Sequence, residues 1–266
     1  MKRRVYQLIG AVLSNSYVTA PFTKGVCFPV LNCYACPLAA VACPIGSIQH
    51  FAAIHVFPFY TVGVLGIIGG VVGRMTCGWL CPFGFLQDLL YKINSIKIRL
   101  PRFLNYLKYV LLVGLVMIAP YITGEPWFSK LCPAGMLEAG IPLALMDEQV
   151  RRQIGGMFWI KMGILFSFLV SFTAVKRPFC RAICPLGAIF SLFNAFSAYK
   201  LEFDESQCIR CGKCQKKCPV DIKVYENPNS TDCIRCLDCT DCVCVSLTNV
   251  LKESQKKPES LTEEVT

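Results

Sequence analysis

Cys208, Cys211, Cys214 and Cys218 follow one another as C-x2-C-x2-C-x3-C, with Pro219 directly after the last. Thiolates on these spacings hold iron–sulfur clusters. The first three grip one cubane and the fourth serves a second cluster. A zinc site would instead pair two separated C-x2-C units. A second run, Cys233-x2-Cys236-x2-Cys239, begins the same way and then departs. Val243 stands where the fourth cysteine belongs, flanked by Cys242 and Cys244. By the crossover rule one [4Fe-4S] cluster takes Cys208, Cys211, Cys214 and either Cys242 or Cys244. The other takes Cys233, Cys236, Cys239 and Cys218.

A shorter unit, Cys-Pro-x-Gly, starts at Cys43, Cys81, Cys132 and Cys184. Two copies extend to R-x2-C-x3-C-P-x-G, from Arg74 to Gly84 and from Arg177 to Gly187. A thiolate ahead of a helix N-terminus is favoured by the exposed N–H groups. Cys77, Cys81, Cys180 and Cys184 are therefore candidates for a third cluster or a redox thiol site, against the plainer reading of a helix-entry turn. Cys27, Cys33, Cys36 and Cys43, with Cys132 as a rival or extra ligand, could hold an outer cluster, or disulfides if that side is oxidising. His50 and His55 are the only histidines. Five residues apart, they lie roughly 140° apart around a helix and cannot ligate one haem from a single face. There is no G-x-G-x-x-G after a strand and no P-loop, so no haem, flavin or NAD motif is read.

The elements that carry these thiols are apolar. Of the 266 residues 54% are hydrophobic, and the mean hydropathy is +0.49. That composition belongs to a membrane protein. Four transmembrane helices are expected, at about 5–20, 51–73, 103–120 and 154–175. They form a tandem two-helix repeat, 1–98 and 99–199. At Lys200 the chain turns polar. Residues 200–251 read as a small α+β bacterial-ferredoxin-like domain, and 252–266 as a disordered tail. The net charge of +10 is read as positive-inside bias and not as nucleic-acid binding. It puts both termini and the ferredoxin domain on the cytoplasmic side of a multi-pass protein of the cell membrane. With that topology Cys43 and Cys132 fall on the opposite face from Cys77 and Cys180.

The doubled R-x2-C-x3-C-P-[FL]-G followed by the Cys208-to-Pro219 run resembles the NapH/NosR-type polytopic membrane 4Fe-4S ferredoxins, over roughly residues 50–245. The resemblance implies a quinol dehydrogenase or an electron conduit to a partner reductase or maturation system. Its partners would be the lipid bilayer, quinone and a partner redox protein. The loop at 27–43 is an addition relative to NapH itself. The leading expectation is a membrane-bound protein passing single electrons between quinone and a redox partner. The alternatives are an iron–sulfur sensor or maturation factor without turnover, and a thiol–disulfide relay.

Overall fold

In the computed structural model, residues 2–15, 20–23, 25–33, 35, 36, 39–93 and 95–250 are described. Most of them are helical. Two helices, Phe103–Thr123 and Gly156–Ala174, are long and apolar enough to cross a bilayer. Each is about 30 Å long at 1.5 Å per residue, the thickness of the hydrocarbon layer. Their outer faces expose Val110, Val113, Met117, Phe166 and Val170.

The other two expected spans are shorter. The stretch 51–73 is divided between two helices, Pro44–Ala53 and Phe59–Val72. His55 between them has φ 59°, a left-handed conformation that ends a helix. Pro58 then stands just ahead of the second helix, where a missing N–H costs nothing. Phe59–Val72 has 14 residues, about 21 Å. The 5–20 stretch is represented by the helix Lys2–Ser14; residues 16–19 and the tail at 252–266 lie outside the described residues. Pro133–Met146 is a further apolar helix below spanning length.

The internal repeat is plain in the backbone. Phe59–Val72 leads through Arg74 to a five-residue helix, Met75–Trp79, and then to the nine-residue helix Pro82–Leu90. Gly156–Ala174 leads through Arg177 to Pro178–Ala182 and then to Pro185–Phe193, of the same lengths. Each nine-residue helix has proline in its first turn, where φ is already set for the helix.

After residue 198 the chain forms a small α+β unit. Strands β1 (Tyr199–Phe203) and β2 (Val245–Asn249) pair antiparallel, Tyr199 opposite Asn249 and Phe203 opposite Val245. Lys213–Lys217 is a short helix, and Leu201, Val224 and Val245 pack around Cys214, Cys233 and Cys239. The basic segments meet this unit on one face. Arg3 pairs with Asp238 at 3.1 Å, Lys108 with Asp232 at 2.7 Å, and Lys176 Nζ donates to the Cys218 carbonyl at 2.9 Å.

Candidate metal centres

The two R-x2-C-x3-C-P-x-G loops interlock. Arg74 Nη2 donates to the carbonyl of Cys180 at 2.5 Å, and Arg177 Nη1 donates to the carbonyl of Cys77 at 3.0 Å. Each arginine thus reaches across to the other loop. The terminal glycines make room for this. A Cβ on Gly187 would stand 2.7 Å from Arg74 Nη2, and one on Gly84 3.3 Å from Arg177 Nη1. Arg177 is also held bidentately by Asp88, through Nε at 2.7 Å and Nη2 at 2.5 Å. The exchange closes Cys77, Cys81, Cys180 and Cys184 into one buried group, each within electrostatic reach of the others. Gln87 Nε2 donates to Cys180 Sγ at 3.0 Å, and the Gly187 N–H points to Cys184 Sγ at 3.4 Å. Burial, reinforced by Cys180 and Cys77, pushes the Cys81 thiol up to about 12.

The α+β unit docks onto this group. Gly78 lies under the carbonyl of Ile234, which a Cβ would approach to 2.6 Å. Trp79 Nε1 donates to the Arg235 carbonyl at 3.0 Å. Arg74 Nη1 reaches the Thr231 carbonyl at 3.1 Å, and Asn194 Nδ2 the Cys233 carbonyl at 2.7 Å. Immediately behind this contact, Cys218, Cys233, Cys236 and Cys239 line a cavity of about 280 Å³ with Val220, Ile222 and Ile234. These are the four thiols that the crossover rule groups. The buried Arg177 feels both Cys180 and Cys236, so one guanidinium lies between the two sets.

Of the first run, Cys211 is exposed, Cys208 half-buried and Cys214 buried in the core of the unit. Arg210 and Arg235 hold equivalent places in the two C-I-R-C repeats, both at positive φ. Their N–H groups point to Cys208 Sγ and Cys233 Sγ, each at 3.4 Å. Cys244 hydrogen-bonds Cys208, and Cys242 faces Cys214. Both rivals for the fourth ligand therefore stand at the same site.

The outer set of five divides. Cys33, Cys43 and Cys132 line a cavity of about 340 Å³ with Leu31, Gly46 and Gly135. Cys43 accepts N–H bonds from Gly46 and Ile45, and Cys132 from Gly135 and Ala134. Burial pushes both thiols up to about 12. Cys36 is buried next to Cys33, its N–H donating to the Cys33 carbonyl at 2.9 Å. Cys27 stands apart, hydrogen-bonded to Thr61, its backbone bridged to Ala42. Nor is the outer set a bilayer away from the inner one. Leu31 lines the outer cavity while its N–H donates to Cys81. Cys43, Cys77, Cys81, Cys132, Cys184, Cys218 and Cys236 belong to a single buried core. His50 and His55 are exposed, and His55 packs edge-on against Tyr121 at 4.3 Å.

The donor chemistry fits iron–sulfur clusters. Thiols surround apolar cavities and backbone N–H groups aim at the sulfurs. Two guanidiniums offset the negative charge that four thiolates bring. Among the described residues no three Cys, His, Asp or Glu side chains close around a point as a single ion requires.

Comparison with known proteins agrees. A family described as a 4Fe-4S binding domain matches twice, at residues 54–101 and 156–203, and a second 4Fe-4S binding domain family matches at 201–223. One uncharacterized protein of Methanocaldococcus jannaschii is 33% identical over 188 residues, 66% of this chain and 71% of its own length. YccM of Escherichia coli, named as a candidate electron transport protein, is 28% identical over 203 residues, 72% of this chain and 54% of its own. The regulatory protein NosR of Pseudomonas aeruginosa is 27% identical over 174 residues, 61% of this chain and 22% of its own. The chain belongs to the NapH/NosR-type 4Fe-4S family. Its family models describe 4Fe-4S binding, and two of its helices are long and apolar enough to cross a membrane. The chain covers only 54% of YccM and 22% of NosR. No solved structure matches it.

The sequence reading assigned no task to Arg74, Arg177, Gln87 or Gly78. The arginine and glycine of R-x2-C-x3-C-P-x-G were visible as part of the motif, but their partners lie in the other repeat. Leu31 and Glu138, which accepts the Cys33 N–H at 2.6 Å, carry no sequence signal.

Proposed function

We propose that this protein passes single electrons between quinone in the membrane and a partner redox protein. Two [4Fe-4S] clusters would be held in the ferredoxin domain: one by Cys208, Cys211, Cys214 and either Cys242 or Cys244, the other by Cys218, Cys233, Cys236 and Cys239. A third would be held by Cys77, Cys81, Cys180 and Cys184. Bound clusters of this kind supply one-electron redox chemistry, so a two-electron quinol would be oxidised in single steps.

The observation that carries the reading is the docking contact. Gly78 and Trp79, on the turn between Cys77 and Cys81, touch the backbone of Ile234 and Arg235, on the turn between Cys233 and Cys236. The chain's own residues thereby hold two thiol sets at a fixed, dry, short separation. The quinone head group would bind in the cleft between the Phe103–Thr123 helix and the ferredoxin domain, lined by Tyr109, Arg181, Asp232 and the buried Lys108; Lys108 also interacts electrostatically with Cys184. The cytoplasm is assigned to the ferredoxin face because the basic segments gather there.

The test is an anaerobic redox titration of the purified chain followed by EPR. Reducible [4Fe-4S] signals that a quinol analogue populates are expected. No reducible iron–sulfur signal would overturn the reading. Reducible signals that no quinol or redox partner ever changes would favour the sensing alternative.

A further inference from the structure

We propose that Cys33, Cys36, Cys43 and Cys132 form a fourth [4Fe-4S] site, and that Cys27 takes no part in it. The proposal rests on the iron–sulfur reading above. It concerns residues outside every segment that the 4Fe-4S families match.

Four observations converge. As Cys218, Cys233, Cys236 and Cys239 line one cavity in the ferredoxin domain, Cys33, Cys43 and Cys132 line another. Two of its thiols start helices, Pro44–Ala53 and Pro133–Met146. Both accept paired N–H groups from the Pro-x-Gly turns that follow them. Those donors and the positive helix ends stabilise thiolates and the negative charge of a thiolate-ligated cluster. The rest of the lining is mostly apolar, with Leu31, Ile45, Phe128 and Ala134 beside the polar Asn32 and Ser129. The fourth ligand follows from elimination within the loop. Cys36 is buried next to Cys33 and interacts with it electrostatically, whereas the Cys27 thiol is hydrogen-bonded to Thr61.

The site also has a neighbour. Leu31 touches Cys81 with its N–H and lines the outer cavity. Cys33 is two residues on, at most about 7 Å along the backbone. The fourth site therefore lies next to the inner thiols, well within the roughly 30 Å of the hydrocarbon layer.

Iron and acid-labile sulfide are to be counted on the full chain purified anaerobically, as wild type and as Cys43→Ser, Cys132→Ser and Cys27→Ser. The wild type should hold about sixteen irons, four for each cubane. Cys43→Ser and Cys132→Ser should each lose about a quarter of the iron and sulfide. Cys27→Ser should match the wild type, and the ferredoxin EPR signals should persist in all three, which reports folding independently. About twelve irons in the wild type, or unchanged iron in Cys43→Ser and Cys132→Ser, would overturn the fourth site alone. Wild-type protein without iron would overturn the parent reading instead.

Discussion

Gln87 is fully buried and spends its amide N–H on Cys180 Sγ. Hydrogen bonds to cluster sulfurs raise the reduction potential by stabilising the more negative, reduced form. Gln87→Leu should therefore lower the midpoint of the inner centre by some tens of millivolts, where about 59 mV is tenfold for one electron. The change should appear in an EPR titration with iron content unaltered; an unmoved midpoint would count against the inner cluster. Asp88 gives a pH prediction. Burial alone would raise its carboxyl, but Arg177 first and then Arg3 hold it below the usual carboxylate value. A depressed carboxyl contributes stability that is complete above its unfolded pKa, near ~4, and lost as pH falls through its folded pKa. Melting temperature in detergent should thus drop on acidification below about pH 4. Asp88→Asn should abolish that part of the acid limb and cost about 3–5 kcal/mol at neutral pH, because Arg177 stays buried without its partner. At this scale the sequence showed which residues are thiol donors and hid their supports. Arg74 and Arg177 act on carbonyls about a hundred positions away, and no local spacing records such a bond.

Short helices, more than long ones, carry the thiols. Each cysteine of a Cys-Pro-x-Gly unit sits just before a helix whose first turn holds proline, so the four tetrapeptides were legible as helix starts. Helix lengths were less so. The 51–73 stretch is apolar on all sides and has no periodicity to mark a break, and the turn at His55 depends on a backbone conformation that its side chain does not announce. The elements meet at glycines. A Cβ at Gly10 would come within 2.7 Å of the Leu80 carbonyl, where the Lys2–Ser14 helix crosses the inner loop. Gly78 faces a backbone atom too, which cannot swing aside as a side chain tip can. Gly78→Ala should loosen the docked ferredoxin domain at a cost of about 1–3 kcal/mol. Limited proteolysis near residues 200–210 should then run faster than in wild type, while Gly163→Ala, in open space, should leave the rate unchanged.

Across the whole molecule one buried core joins Cys218 and Cys236 of the ferredoxin domain, Cys77, Cys81 and Cys184 of the inner loops, and Cys43 and Cys132 of the outer set. The sets were legible from spacing; their separation was not. Topology counted from hydropathy assigns whole segments to faces, and a loop such as 28–33 that enters the core has no hydropathy signature. Both repeats contribute thiols to the inner group and to the outer cavity. Orientation is open to a direct check. In right-side-out and inside-out vesicles, protease should remove residues 200–250 only from the cytoplasmic face; cleavage from the outside would reverse the assignment. The cleft gives a further expectation. Lys108→Met should slow quinol-dependent cluster reduction at least tenfold with iron content retained, and an unchanged rate would move the quinone site elsewhere.

The crossed bonds of Arg74 and Arg177 also set an order of events during synthesis. The first loop's carbonyl has to wait for an arginine that the ribosome adds about a hundred residues later, and the second loop finds its own clamp already made. No half of the inner thiol group can be completed early. A chain halted between the two loops would hold Cys77 and Cys81 without the cross-bond that Arg177 makes to the Cys77 carbonyl.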